Sequence, residues 1–483
     1  MTLRISGLAS GMDTESIVSD MMKVARLPLD KLTKKQQTLE WKRDDYRAMN
    51  TSLLTFRNEL SNMKYTKNYR VRSVESTDTS KVAATATNVA NVGSTTISNV
   101  TQLATSASYV SGKTDLAGKT SDYSLEKFNG QTLKINNVSI TVESGDTISS
   151  FLEKVNNSEA NVNMYYDSQS GKFSITKNES GAGSIELSGD NTLTSALGFT
   201  NDDGTERSDA TNTSGTNAIL TINGIATERS SNTFTENGVT YTLKQTFNDS
   251  VTTTITNDTD AVYNNIKSFI DKYNELISSI QGKIGEERNS DYEPLTDEEK
   301  EALSESQIEK WEKIAKTGLL RNDTTLSNAL SQMRLNFSST VSNSEISSLY
   351  NTLSKIGITT TSNYLDGGKL EINEEKLKAA IAADPDSVEQ LFRGEGGIIG
   401  KLYDTVNNTM ENIKLKAGNA NSTNQTFTIG RDLENVKDRI GDLEDRLEQI
   451  EARYWKQFTA MEKAIEKANS QYSYLTQYFG QSQ

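Results

Sequence analysis

Two short runs pair glycine with lysine and threonine, the residue types that cradle a phosphate group. Gly112-Lys113-Thr114 and Gly118-Lys119-Thr120 each carry the last three positions of a phosphate-binding loop. Such a loop needs a further glycine five residues upstream, where the backbone must approach the phosphates closely. Ala107 and Lys113 stand at those two places. We therefore interpret both runs as parts of a polar loop without nucleotide chemistry.

Three carboxylates in a charged stretch have the residue type that general acid and base catalysis uses. Glu298, Glu299 and Glu301 also fit a charged helix face in solvent, and we favour this second interpretation. The chain contains no cysteine and no histidine. This excludes thiol nucleophiles, disulfides and Cys/His zinc sites, and it removes the usual general base near neutral pH. The sequence therefore predicts a protein that is not an enzyme, with no catalytic residue, cofactor or metal.

The most regular patterns lie at the two ends of the chain, where apolar residues recur with an average spacing of 3.5. That period keeps one stripe of a helix facing a partner helix. We predict helices over about 30–63 and 428–478, packed antiparallel, and we expect their apolar stripes, the terminal seams, to serve assembly with helical partners. The first terminal seam consists of Leu32, Leu39, Tyr46, Leu53 and Leu60. The second consists of Leu433, Val436, Ile440, Leu443, Leu447, Ile450, Tyr454, Phe458, Met461 and Ile465.

Two features are expected to separate these helices from their neighbours in sequence. Asp13 or Thr14 is expected to cap a short helix that carries Ile17, Met21 and Val24. Pro28 lacks an N–H group, so we expect it to end that helix. A polar linker rich in Asn and Ser, residues 416–426, precedes the last helix. Both are places where the terminal helices could flex.

The second terminal seam contains one irregularity of its own. Ile450, Tyr454 and Phe458 are spaced four and four, a stutter that locally unwinds a left-handed supercoil. The stutter is either a flexible point or a local adjustment of packing, and the sequence alone supports both. The aromatic residues that close the last helix fit the seam or, alternatively, a docking surface. They are Tyr472, Tyr474, Tyr478 and Phe479.

From about residue 73 the apolar spacing changes to period two, which indicates β-strands. Leu133–Val142 contains two strand-like runs joined at Asn136-Asn137, and helical patterns return at about residue 260. We predict a multidomain α+β fold with terminal coiled-coil helices, a helix-rich core domain and inserted β-rich modules. The predicted domains are an N-terminal segment and coiled-coil helix at 1–73, a helix-rich core domain at 74–106 plus 256–415, inserted β-rich modules at 107–255, and a linker with the C-terminal coiled-coil helix at 416–483.

Charge is spread unevenly along the chain, whose formal net charge is −14. Residues 1–72 hold 14 Lys and Arg against 8 Asp and Glu, so the remainder is strongly acidic. An acidic body argues against nucleic acid as a partner, although the basic first segment could touch nucleic acid or acidic lipid.

No apolar run reaches the roughly 20 residues of a membrane span. The first residues lack the pattern of a signal peptide, so we expect either a cytoplasmic protein or export that reads an uncleaved N-terminus.

Short motifs follow one another in a fixed order along nearly the whole chain. They are Ile5–Thr14 with Ile17-Val18, Thr101–Ala104, the β segment at 131–190, Leu220–Gly224 through Thr233, Asp260–Leu276, Gly318–Asp323, Lys355–Ile358, Gly368–Ile372, Asp384-Pro385, Leu391-Phe392, Gln457–Met461 and Ser473–Leu475. Each motif is weak, but in this order they resemble the flagellar filament cap family (FliD, hook-associated protein 2). The segments 105–130 and 200–215 match no motif of that family.

The resemblance implies a structural protein, secreted through the flagellar export channel to the distal tip of a bacterial flagellum. It implies a cap that promotes flagellin incorporation and prevents loss of unpolymerised flagellin, with adhesion as a secondary role. The implied partners are further copies in a ring-like homo-oligomer, pentameric by family resemblance, flagellin, the hook-filament junction proteins, and an export chaperone at the C-terminal helix. Neither nucleic acid nor a membrane span is implied. The alternative is a surface adhesin that binds host glycan or mucin.

Overall fold

The computed structural model describes residues 11–363 and 366–480, with side chains of the last helix described as far as residue 477. The chain divides into two compact units. The helical unit combines Met1–Tyr69 with Tyr263–Gln483, and the β-rich unit is Arg70–Val262. The helices in the described residues are α1 (Thr14–Asn62), α2 (Ile148–Asn156), α3 (Asn191–Ala196), α4 (Thr259–Gly285), α5 (Asp297–Glu301), α6 (Glu305–Ala315), α7 (Thr324–Ser338), α8 (Glu374–Ala383), α9 (Pro385–Arg393), α10 (Ile398–Ala417) and α11 (Thr428–Gly480).

The strands pair antiparallel throughout the described residues. They are β1 (Arg72–Ser76), β2 (Val82–Ala86), β3 (Gly93–Gln102), β4 (Ser106–Val110), β5 (Thr132–Ile135), β6 (Val138–Thr141), β7 (Val162–Asp167), β8 (Lys172–Ser180), β9 (Leu187–Gly189), β10 (Thr211–Thr213), β11 (Ala218–Ile222), β12 (Ile225–Arg229), β13 (Thr233–Glu236), β14 (Val239–Leu243), β15 (Phe247–Asn257), β16 (Ile358–Thr360) and β17 (Leu370–Ile372).

The helical unit is built around the second half of α1, which packs against α4 and α10. Phe56 of α1 stacks on Phe269 of α4, with ring centroids 5.8 Å apart. Tyr273, one turn further along α4, meets Phe337 of α7 edge-to-face at 4.4 Å. These rings are all buried, and aromatic contacts of this kind add to the free energy gained by burying their area. The small ribbon of β16 and β17 belongs to the same unit.

Helix α1 is continuous from Thr14 to Asn62 and contains Pro28 in its interior. The expectation that Pro28 ends a short first helix was therefore wrong. A proline in a helix removes one backbone hydrogen bond and costs about 3 kcal/mol. Tertiary packing offsets that cost here, because Val18 and Met22 before the proline are buried against α11, and Leu29 after it packs on the same cluster.

The β-rich unit contains two hydrophobic cores of its own. The first lies between the sheet β1-β15-β3-β11-β12 and the sheet β13-β14-β2. The second lies among the sheets β10-β4-β8-β7 and β6-β5-β9, with α2 packed on β7. The hairpin predicted at Asn136-Asn137 is present, with φ angles of 48° and 71° that match a type I′ turn.

Strand pairing corrects one predicted domain boundary. Residues 74–106 were assigned to the helix-rich core domain, yet β2 pairs with β14, and β3 pairs with β11 and β15. The backbone hydrogen-bonding groups of these strands need partner strands, and the paired residues lie between 117 (Gln102 with Ile219) and 162 (Gly93 with Ile255) positions further on. Residues 74–106 therefore belong to the β-rich unit, which is wider than the predicted insertion at 107–255. The multidomain α+β fold class, with long helices at both ends, is confirmed.

Candidate assembly surface on the terminal helices

The beginning of α1 is fixed by a side chain of the kind that the sequence predicted. The Asp13 carboxylate accepts a hydrogen bond from the backbone N–H of Ser16 at 3.0 Å and so caps the helix. Glu15 in the first turn adds negative charge where the helix dipole is positive. These two acidic residues give α1 a defined first turn.

Helices α1 and α11 pack antiparallel, as predicted. Near the start of α1, Val18 and Met22 form one buried cluster with Leu447 of α11. Further along α1, the Arg47 guanidinium lies 5.7 Å from the ring centroid of Phe427, which immediately precedes α11. The start of α1 therefore lies beside the part of α11 around Leu447. Residues further along α1 lie beside the start of α11, so the two helices run in opposite directions.

Of the fifteen predicted seam residues, seven are buried within this chain and eight are half-buried. In α1, Leu32, Tyr46, Leu53 and Leu60 are buried and Leu39 is half-buried. In α11, Leu433, Val436 and Leu447 are buried. The half-buried members of the second seam are Ile440, Leu443, Ile450, Tyr454, Phe458, Met461 and Ile465.

The stutter coincides with the contact between the two helices. Ile450, Tyr454 and Phe458 pack, together with Trp455, on the cluster of Val18 and Met22. Helix α11 continues through the stutter without a break. These contacts support the interpretation of the stutter as an adjustment of packing, and its role as a flexible point stays a prediction.

A polar contact that the sequence did not indicate joins three elements beneath the seam. The Tyr46 hydroxyl donates to Asp323 Oδ2 at 2.5 Å, and Lys416 Nζ lies 3.1 Å from the same oxygen. Asp323 also caps α7, because its carboxylate accepts from the N–H of Leu326 at 3.0 Å. Burial raises the pKa of the Asp323 carboxyl, but the hydrogen bonds from Tyr46, Leu326 and Lys416 outweigh burial and bring the pKa below its ordinary value.

The first third of α1 carries a second apolar stripe, which points away from α11. Met21, Val24 and Leu27 are exposed by 38%, 69% and 56%. The short helix predicted here was expected to carry Ile17, Met21 and Val24, whereas the residues buried against α11 are Val18 and Met22. The sequence of this helix contains two apolar stripes, which indicate two candidate packing faces.

An acidic groove of about 620 Å³ lies on the other side of this part of α1, between α1, α5 and α11. Its lining combines apolar and acidic side chains. They include Leu29, Asp30, Ile440, Glu444, Leu447 and Glu448. Burial raises the pKa of the Asp30 carboxyl, and the neighbouring Glu298 carboxylate adds to that effect.

The three carboxylates that could serve acid and base chemistry all lie on the short helix α5, and one of them, Glu298, lines this groove. Glu299 completes a capping box with Thr296 at the start of α5 and accepts from Lys34 Nζ at 2.9 Å. Glu298 accepts from the Arg26 guanidinium at 3.0 Å. Glu301 is exposed in the last turn of α5. These contacts hold the short helix α5 against α1.

The two Gly-Lys-Thr runs use their backbone N–H groups within the β-rich unit. The N–H of Gly112 donates to the carbonyl of Gly198 at 2.8 Å, and the N–H of Lys113 donates to Asp209 at 3.1 Å. The N–H of Gly118 donates to the carbonyl of Ser168. Donors already paired in this way are not aimed at a phosphate group.

Membrane-spanning helices and metal sites would each indicate a further kind of partner. In the part of the chain that the structure describes, no helix is long and apolar enough to cross a membrane, and no group of acidic side chains is placed to hold a metal ion.

The end of α11 presents Tyr472, Tyr474 and Leu475 to solvent, with more than half of each side chain exposed. The side chains of Tyr478 and Phe479 lie outside the described residues.

The two ends of the chain together form the helical unit, and the β-rich unit lies between them in sequence. Similarity to known proteins assigns a chain with this arrangement to the structural proteins of the flagellum. Residues 10–107 match the family model for the flagellar hook-associated protein 2 N-terminus, and residues 215–470 match that for its C-terminus. The flagellar hook-associated protein 2 of Halalkalibacterium halodurans is 33% identical, with 99% of this chain and 100% of that protein covered. That of Escherichia coli K12 is 29% identical, with coverage of 98% and 97%.

Solved structures agree with the sequence matches. The D1-D2-D3 domains of the flagellar cap protein FliD from Escherichia coli match with a TM-score of 0.55 and 25% identity. The match covers 81% of this chain and 99% of that structure. The chain belongs to the flagellar hook-associated protein 2 family, the family of the flagellar cap proteins.

Proposed function

We propose that this protein caps the distal tip of the bacterial flagellar filament. There it promotes the incorporation of flagellin and prevents the loss of unpolymerised flagellin. The observation that carries the proposal is the match to a flagellar hook-associated protein 2 along essentially the whole of both chains. A protein of unrelated function that shared one domain would match over one unit only.

The proposal includes the partners and the route of this cap. The protein is exported through the flagellar channel with the help of a chaperone at its C-terminal helix, passes the hook-filament junction proteins, and assembles with further copies of itself into a ring above flagellin. The absence of cysteine and the presence of only three prolines favour a chain that travels unfolded, because neither disulfides nor slow proline isomerisation delay refolding. The buried residues of the terminal seams support assembly indirectly, by holding the helical unit in one shape.

The test is complementation of a strain from which the gene for this chain has been deleted. We expect the deletion strain to grow short or absent filaments and to release flagellin into the medium, and we expect the intact chain to restore both. Filament length is measured by electron microscopy and released flagellin by immunoblot of the culture supernatant. Unchanged filaments and unchanged flagellin release in the deletion strain would contradict the proposal.

The same strain separates the cap from the alternative of a pure surface adhesin. An adhesin lost from the cell surface lowers attachment to mucin or glycan but leaves filament length and swimming unchanged. A cap lost from the filament shortens the filament and abolishes swimming whether or not attachment changes. The comparison of swimming with attachment in one deletion strain therefore assigns the main function.

A further inference from the structure

The first third of α1 has apolar side chains on two opposite faces, and among the residues that the structure describes only one of these faces has a partner. Val18 and Met22 are buried against α11. Val24 lies two residues beyond Met22, which places it about 200° around the helix. Val24 and its neighbours Met21 and Leu27 are exposed. We name Met21, Val24, Leu27 and Lys31 the outer stripe.

The outer stripe is apolar in its centre and basic at its C-terminal end. Lys31 continues it by one turn, about 180° from the buried face, and is exposed. Lys35 follows another turn later on the same side and is also exposed. A surface with this composition suits a partner that offers an apolar floor and negative charge.

The acidic groove offers that combination on the opposite side of the same helix. Leu29, Ile440 and Leu447 provide apolar lining, and Glu444 and Glu448 are exposed carboxylates along its edge. Its volume of about 620 Å³ falls within the range that accommodates several side chains of a partner.

We propose that the outer stripe of one copy docks into the acidic groove of a second copy of this chain. The proposal rests on the proposed function, which requires copies of this chain to assemble. Val24 and Leu27 lie on the apolar lining of the groove, while Lys31 and Lys35 face Glu444 and Glu448. Charge complementarity between the two surfaces selects a second copy as the occupant and fixes the direction of docking.

The positions of the two surfaces determine the kind of assembly. A twofold contact would join one surface to itself, but here two different surfaces on opposite sides of α1 are joined. Such a head-to-tail contact leaves one outer stripe and one acidic groove available in every dimer, so that further copies add until a ring closes. The resulting contact is heterologous, and its repetition produces a ring in which every copy uses both surfaces.

The chain lacks cysteine, so a single introduced cysteine reports one contact. We expect Lys35→Cys and Glu448→Cys chains, mixed as full-length proteins under mild oxidation, to form a disulfide between copies. The matched control replaces Glu448→Cys with Leu415→Cys on α10, where the side chain is 63% exposed and lies in neither surface. Docking raises the effective concentration of the two thiols, so the expected yield is at least about tenfold above the control.

A second experiment uses two variants that each remove one surface. The outer-stripe variant carries Val24→Glu and Leu27→Glu, and the groove variant carries Glu444→Lys and Glu448→Lys. Each variant alone is expected to sediment as a monomer at a concentration where the parent chain forms its ring. Their mixture is expected to stop at a dimer, because it contains one intact stripe and one intact groove. Circular dichroism checks that both variants are folded.

The contact is overturned by equal disulfide yields with Glu448→Cys and Leu415→Cys, by preferential pairing of Lys35→Cys with itself, or by variants that keep the parent ring. These outcomes are independent of the capping function, which is tested by filament length in the complemented deletion strain. A parent chain that restores filaments while the cross-link fails would place the ring contact elsewhere. A parent chain that fails to restore filaments would overturn the cap whatever the cross-link shows.

Discussion

Tyr46, Asp323 and Lys416 meet at one polar point beneath the terminal seam, and each comes from a different part of the helical unit. Asp323 is the central residue, because it accepts from Tyr46, from Lys416 and from the first turn of α7. Burial and the neighbouring Asp323 carboxylate raise the pKa of the Tyr46 hydroxyl, so that it stays protonated and donates. Removing Asp323 therefore leaves buried donors without an acceptor, which is more costly than losing a surface ion pair.

We predict that Asp323→Ala destabilises the helical unit by about 2–4 kcal/mol, from the lost helix cap and the lost charged hydrogen bonds. Asp323→Asn keeps a capping oxygen and should cost less, about 1–2 kcal/mol. Urea unfolding of the intact protein, followed by far-ultraviolet circular dichroism, measures both values. Equal stability of the alanine variant and the parent would show that this contact contributes nothing.

The same residue gives the stability of the helical unit a defined dependence on pH. The pKa of Asp323 in the folded protein lies below that of a free Asp side chain. The ionised carboxylate therefore contributes stability above the unfolded value of about 3.9, and this contribution is lost as pH falls through the folded pKa. We expect the difference in unfolding free energy between the parent and Asp323→Asn to be constant from pH 7 to 5 and to shrink below pH 4. A difference that grows on acidification would contradict the assignment.

The burial of apolar residues along α1 follows from its local sequence, whereas the polar partners of this helix do not. The seven-residue recurrence of Leu32, Leu53 and Leu60 follows from the helical period, and all three are buried. The partner of Tyr46 lies 277 residues away in sequence, and no local period carries that information. The residue types for a polar contact are common throughout the chain, so only the fold selects Asp323 and Lys416.

At the scale of elements, the helix ends followed from the sequence, but the face of α1 that packs did not. Asp13 was expected as a cap, and α11 begins and ends close to its predicted bounds. Ile17, Met21 and Val24 were the apolar residues named for the start of α1, yet Met21 and Val24 are exposed and the buried residues are Val18 and Met22. A helix with two apolar stripes can pack through either stripe. The stripe that is buried in this protein is the one that contacts α11.

Adjacent methionines test which face of α1 supports the fold. Met22 is 6% exposed and packs with Val18 and Leu447, whereas Met21 is 38% exposed. We predict that Met22→Asp destabilises the contact between α1 and α11 by about 3 kcal/mol or more, because it buries a charge in an apolar cluster. Met21→Asp, the matched control, should change stability by less than about 0.5 kcal/mol.

Limited proteolysis of the intact protein distinguishes the two variants. Cleavage within residues 14–30 should become much faster in Met22→Asp and stay at the parental rate in Met21→Asp. Because Met21 belongs to the outer stripe, its variant should nevertheless assemble less than the parent. Equal protease resistance of the two variants would mean that the buried cluster does not hold the start of α1 in place.

Pro28 provides a second test at this scale. The residue lies inside a continuous helix, where its ring removes the backbone donor to the carbonyl four residues earlier. Pro28→Ala restores that hydrogen bond but loosens the unfolded chain, so we expect a net gain of about 1–2 kcal/mol. Thermal unfolding measures the gain as a higher midpoint. An unchanged or lower midpoint would show that the helix accommodates the proline without strain.

At the scale of the whole molecule, the sequence predicted an inserted β-rich part but placed its borders too far inward. The period-two patterns of β2 and β3 were visible, whereas their partners β14 and β15 become apparent only in the sheet. Pairing between distant strands depends on register and on the shared core, and neither is encoded locally. Ile97 and Val100 of β3 are fully buried in that core, so β3 cannot be separated from the strands that follow residue 217.

Two deletions separate the predicted border from the observed one. In the helical unit, the side chain of Asn265 donates to the carbonyl of Asn68 at 3.0 Å, so the chain leaves and re-enters that unit at neighbouring points. We predict that replacing residues 70–262 with about five Gly and Ser residues, a bridge that spans such a short gap, leaves a helical remnant that unfolds cooperatively. The groups buried around Phe56 and Phe269 all remain in this remnant.

The matched deletion of residues 107–255 with the same bridge should behave differently. It retains β1, β2 and β3 but removes β14 and most of the residues that cover Ile97 and Val100, which exposes apolar strands with unpaired edges. We expect this variant to aggregate or to bind a hydrophobic dye, while the 70–262 deletion stays in solution and shows one thermal transition by circular dichroism. If the narrower deletion gave the cooperative remnant and the wider one did not, strands β1 to β3 would have to be supporting the helical unit, and the border between the units would lie where the sequence first placed it.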